Sequence, residues 1–167
     1  MSNASLASAS TRFVYGSLTT AYASGGTGAV FRAATDSKIV NGMGSWNTTN
    51  NQGWFFPSGT YVVQFMIGVG ASMAINSTIA PDVIYNGASL LGNFNTGGHH
   101  VTAGSVAVCA SQSGIVPGTF SSSLTCGLYM RVVAGGAPTQ ITPAGTFMFA
   151  RMLSTGSLSL SQSVFII

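Results

Sequence analysis

The chain has 167 residues, 46% of them hydrophobic and only 4% charged, with five Lys and Arg, two Asp and no Glu. An average globular domain has about a quarter of its residues charged. This composition is too apolar for disorder, too poor in carboxylates and histidines for most catalytic chemistry, and too thinly cationic to neutralise a run of phosphates.

The residues that fill exposed helices, Glu and Lys above all, are scarce or absent, so the expected class is all-β. Residues 1–10, MSNASLASAS, are small and polar and read as a flexible or extended N-terminal arm. The arm has neither the cationic start nor the apolar stretch of a secretory signal. A single domain is expected over residues 11–167. Short apolar runs at 12–16, 28–34 and 37–42 read as early strands, with Asn41-Gly42 as a tight turn. GWFF (53–56) is a further strand, and TYVVQFMIGVG (60–70) is the longest candidate. The apolar stretch from Tyr61 to Ile75 is interrupted by Gln64 and falls short of the roughly 20 residues that span a bilayer. It therefore predicts buried strands and no membrane span.

DVIYNG (82–87) is a strand ending in an Asn-Gly turn, and residues 88–104 read as a loop. That loop holds His99 and His100, which would point in opposite directions on a strand and have no Cys or Glu beside them. No metal site is expected there. SVAVCAS (105–111) alternates, and residues 113–123 read as Gly, Pro and Ser punctuation. In the run 123–135, Leu124, Cys126, Leu128, Met130 and Val132 share one face, and Thr125, Tyr129 and Arg131 the other. The runs 145–153 and 157–167 close the chain. Eight to ten antiparallel strands at this spacing predict a jelly-roll-like β-sandwich.

Pro57-Ser58-Gly59-Thr60-Tyr61 recurs as Pro143-Ala144-Gly145-Thr146-Phe147. Either this is simply a favourable strand entry, or the two strands hold equivalent places in two packed sheets. Cys109 and Cys126 lie in apolar runs and are expected to be buried free thiols, although neighbouring strands would let them pair. The sequons at Asn3, Asn47 and Asn76 match a pattern frequent by chance in such a chain.

Catalytic signals are weak. Asp36 and Asp82 are the only carboxylates that could flank a glycosidic bond, and Asp36 with Lys38 reads as a same-face strand pair. No Gly-x-Ser-x-Gly elbow occurs, and Gly25-Gly26-Thr27-Gly28 lacks the Lys of a phosphate loop. No enzyme and no cofactor is expected. Trp46, Trp54, Phe55 and Phe56 bracket the polar stretch NTTNNQG (47–53). Trp46 and Trp54 are thus candidates for contact with a partner or glycan, Trp54 equally a candidate for the core.

GWFFPSGTYVVQFMI resembles the strand entry of tumour-necrosis-factor-like and complement-globular-head-like jelly rolls, through Gly59, Tyr61 and Phe65. SLSQSVFII, with Phe165, resembles their last strand. The resemblance implies a homotrimer whose aromatic strands meet at a threefold axis. It offers Tyr61, Phe65, Tyr129, Phe147, Phe149 and Phe165 as subunit-interface residues. Similar modules occur on virus and phage particles, and the scarcity of charge favours that branch over a secreted signalling role. The expectation is a virion structural protein, a homotrimeric capsid decoration (cement) protein. It would bind the major capsid protein on the outside of a phage or virus head, after assembly in the host cytoplasm. The alternatives are a receptor- or carbohydrate-binding fibre-tip or lectin-like module, and a small jelly-roll coat protein. No nucleic-acid partner is expected.

Overall fold

Inward and outward side chains alternate along the strands, and this period of two builds the architecture. The computed structural model describes residues 12–24, 26–31, 36–50, 52–74, 76–91, 99–100 and 106–155, with the backbone alone at 99, 100, 106 and 155. The strands in chain order are β1 (Phe13–Ser17), β2 (Tyr22–Ala23), β3 (Gly28–Ala29), β4 (Ser37–Asn41), β5 (Ser45–Trp46), β6 (Trp54–Phe55), β7 (Gly59–Met73), β8 (Thr78–Tyr85), β9 (Ala88–Ser89), β10 (His99–His100), β11 (Val106–Phe120), β12 (Thr125–Ala134) and β13 (Gln140–Thr155). No helix occurs among the described residues, so none there is long and apolar enough to cross a membrane.

Sheet I runs β11-β7-β13-β1-β4, with β2 also paired to β13. Sheet II runs β10-β8-β12-β6-β5, with β3 on β12 and β9 on β8. Every pairing is antiparallel. The protein is an all-β jelly-roll sandwich. Between the sheets lie Phe65, Ile67, Val69, Ala71 and Met73 of β7, Val83 of β8, Leu128 and Met130 of β12, and Met148 and Ala150 of β13. Each fully buried large side chain contributes about 1.5–3 kcal/mol relative to exposure. The alternation read along β12 is observed, with Cys126, Leu128 and Met130 buried and Arg131 exposed.

Several expectations change. Of residues 113–123, only 121–123 form a turn, because β11 continues unbroken to Phe120 through Gly114, Pro117 and Gly118. β11 lies at the edge of sheet I, where a proline's missing N–H is tolerated. His99 and His100 form a short strand on β8 rather than part of a loop. The Pro-x-Gly-Thr-aromatic echo does not mark equivalent places in two sheets, since β7 and β13 are neighbours in sheet I. Its second copy falls inside β13, where the pairing with β7 jumps from Thr142↔Gly70 to Phe147↔Gly68. The bulge is closed by the Thr146 hydroxyl, which accepts from Gly70 N at 2.8 Å and donates to Thr142 O. Gly145 adopts a φ of 77°. Cys109 is exposed, contrary to expectation, and Cys126 is buried. They sit in different sheets, and both are free thiols. The N-terminal arm, Asn3, Phe165 and the run 157–167 lie outside the described residues.

Candidate functional site

The outward face of sheet I is the first candidate. Inward positions of β7 are odd-numbered, so Gln64 and Met66 point out. The register carries that face across the sheet. One row reads Ser113, Met66, Phe149, Tyr15 and Ile39. The row beside it reads Ile115, Gln64, Arg151, Phe13 and Asn41. Met66 is 46% exposed, Ile115 59% and Ile39 51%. Phe147 and Phe149 are half-buried on this face, and the Phe13 and Phe149 rings lie 6.0 Å apart. A recess of about 330 Å³ opens between Met66, Phe147 and Ser111–Ser113. Arg151 is held in place on this face: its Nε donates to Gln64 Oε1 at 2.6 Å.

The interface residues offered by sequence divide three ways. Phe147 and Phe149 are on this face. Tyr61 and Phe65 are not, because both point into the sandwich, at 3% and 0% exposure. Tyr61 stacks on Phe120 at 4.7 Å and donates to Pro57 O at 2.8 Å. Burial, with Tyr85 and Cys126 nearby, raises its pKa. These two are core residues of one chain and cannot serve as subunit contacts. Tyr129 is on the outward face of sheet II, opposite Asp82. Sequence reasoning missed Phe13, Tyr15, Ile39, Met66 and Ile115. The alternation along TYVVQFMIGVG is itself a signal: Tyr61, Val63, Phe65, Ile67 and Val69 hold the odd positions, and Thr60, Gln64, Gly68 and Gly70 fall on the even face.

The tryptophans also divide. Trp54 is fully buried, and its indole meets Trp46 at 4.6 Å and Phe31 at 5.6 Å, each edge to face. No described residue accepts from its Nε1. It is a core residue and cannot contact a glycan. Trp46 is half-buried, with Lys38 Nζ 4.4 Å from its ring centroid; a cation so placed occupies the ring face. Gly16 makes room for this cluster, since a Cβ there would come 2.7 Å from the Trp54 ring. The stretch between the tryptophans folds into Asx turns. Asn47 Oδ1 accepts from Thr49 N at 3.0 Å, and its Nδ2 donates to Thr125 Oγ1 at 2.9 Å. Buried and bonded, Asn47 is no acceptor for a glycan.

On sheet II, Asp82 is buried. Its Oδ1 accepts from Val83 N at 2.8 Å and Ser89 Oγ at 3.0 Å. Burial raises its pKa, against the opposing pull of these hydrogen bonds and of Arg131. Asp36 leads into β4 of sheet I, so the two carboxylates sit on different sheets. Among the described residues, no three His, Cys, Asp or Glu side chains gather as a metal site would require.

No protein-family model matches the chain, and no curated protein matches it in sequence. Among solved structures it is similar to the Eiger tumour necrosis factor of S. frugiperda, at 11% identity and a TM-score of 0.53, over 92% of this chain and 99% of that one. The fold is that of the tumour-necrosis-factor-like jelly rolls.

Proposed function

We propose that the chain is a structural protein of a virus or phage particle, a homotrimer that decorates the outside of the capsid and contacts the major capsid protein. The observation that carries this reading is the outward face of sheet I. Apolar patches exposed on a monomer mark interaction sites, and Met66, Ile115 and Ile39 are all exposed on this face. Obligate interfaces resemble a domain core cut in half, and the row from Met66 to Ile39 has that composition. The near-neutral surface supports an assembled state, because net charge is what keeps free monomers apart. The number of subunits is taken from the fold likeness, and the attachment to a particle from the composition.

Native mass measurement of the whole chain tests the first part. A trimer is expected, with Ile115→Lys giving a folded monomer, since Ile115 is mostly exposed within one chain and its loss costs the monomer little. Cosedimentation with preformed capsid shells tests the second. A stable monomer that ignores such shells overturns the reading, and closed particles formed by the pure chain would make it a coat protein instead.

A further inference from the structure

Sheet II carries a recess of about 350 Å³ on its outward face, within the size range of small-ligand sites. Its polar lining comes from three separate segments: Asn50 and Gln52, Asn86, and Ser123, Thr125 and Tyr129. We propose that this recess binds a short neutral saccharide, with Tyr129 as its platform. The inference rests on sheet II alone and is independent of the assembly through sheet I.

Three observations point to that ligand class. None of the lining residues is charged, so an ionic ligand would find no counter-charge there. The polar groups are amides and hydroxyls, which both donate and accept. A sugar ring offers hydroxyls of the same double character, whereas an apolar ligand would leave these amides desolvated without partners. The third observation is the ring. Tyr129 is half-buried, and an aromatic with one apolar body and one polar tip suits a ligand with C–H faces and hydroxyl edges. Gly127 stands beside it without a side chain. A Cβ there would come 2.5 Å from Gln52 O and 3.5 Å from Tyr129 Cε2, so the glycine lets the Gln52 backbone close against β12 beside the ring and form that wall of the recess.

The walls are held in advance of binding, which lowers the ordering cost. Asn86 and Gly87 have φ of 50° and 78°, the double left-handed signature of a tight hairpin turn. Asn86 N donates to Thr125 O at 3.3 Å. Gln52 N donates to Asn50 Oδ1 at 3.1 Å, and Thr125 Oγ1 accepts from Asn47 Nδ2. Asn50 and Gln52 therefore supply contacts from the stretch 47–53, while Trp54 at its end is buried.

The test uses the whole chain and saturation-transfer NMR with methyl α-mannoside, galactose, N-acetylglucosamine and lactose, with sialyllactose as the charged comparison. At least one neutral sugar is expected to bind. Tyr129→Ala, and separately Asn86→Gly, which keeps the left-handed turn while removing the amide, are each expected to weaken it about tenfold. Trp46→Phe is expected to leave binding unchanged. Circular dichroism confirms that each variant is folded. The proposal is overturned by no transfer from any neutral sugar, by transfer from sialyllactose alone, or by neutral binding that survives both Tyr129→Ala and Asn86→Gly.

Discussion

Arg151 Nε donates to Gln64 Oε1 at 2.6 Å across the β13–β7 pairing, placing a bonded cation among the aromatics of the outward face of sheet I. In a single chain this pair is solvated. In an assembly that covers the face, the guanidinium would be desolvated with only a neutral amide as its hydrogen-bond partner across the pairing, and burying a charge without a counter-charge is costly. Arg151→Met is therefore expected to change the stability of a dissociated chain by no more than about 0.5 kcal/mol. The same change tightens self-association, read as a lower dissociation concentration in sedimentation. Weaker association would mean that Arg151 bonds to the partner copy.

The bulge in β13 fixes a second expectation. A Cβ at Gly70 would lie only 1.8 Å from Ala144 O, and a backbone atom cannot swing aside. Gly70→Ala is expected to cost roughly 1–3 kcal/mol, in the range of overpacked sites, and to lower the melting temperature. Gly87 offers the contrast, with nothing within 4 Å of its Cβ position but a φ of 78°. Gly87→Ala should cost about 1–2 kcal/mol through the left-handed backbone alone. Paired melting curves compare the two causes.

Thiol chemistry should separate the cysteines. Cys109 is exposed, with Sγ 3.3 Å from Gly145 O, whereas Cys126 is buried and burial pushes its thiol pKa up. A disulfide reagent at neutral pH is expected to label Cys109 in the native chain and Cys126 only after unfolding. Two equivalents labelled without denaturant would contradict the packing around Cys126.

Asp82 predicts a pH dependence. Burial raises its folded pKa above the unfolded value near ~3.9, so the folded state holds the proton more tightly than the unfolded one. The stability from this group is fully present below the unfolded value and is lost as pH rises through the raised folded value. Asp82→Asn keeps an oxygen for Val83 N and Ser89 Oγ and has no carboxyl to ionise. Its melting temperature is expected to fall less than that of the wild type as pH rises from acid to neutral. Parallel slopes would show that another group carries the dependence.

Much of the fold was legible because β-sandwiches write themselves in alternation and turns. The faces of β12 and the Asn86-Gly87 turn follow directly from the residue pattern. What stayed hidden depended on neighbours distant in sequence. Pro117 and Gly118 look like a turn until β11 is known to be an edge strand. Gly68 and Gly70 look like flexible points until the bulge of β13 is laid over them. Trp54 and Phe65 have the composition of an interface and the position of a core, and only the pairing of the sheets distinguishes the two. For the candidate sites, the NTTNNQG loop is visible in the sequence, while the full burial of Trp54 beside it is not. Asn86 and Ser123 gave no local signal beyond turn propensity.

The edge strand β11 bears on how copies of the chain meet. β11 pairs with β7 along all fifteen of its residues, but on one side only, and the backbone groups on its other margin would ordinarily invite another strand to dock and extend the sheet. Pro117 has no N–H to offer such a strand, and Gly114 and Gly118 add no side chain to grip it. A ladder growing along this margin would lose a rung in its middle. Growth by strand addition is thus discouraged along this margin, and the proposed homotrimer would have to close through sheet faces and not through this edge.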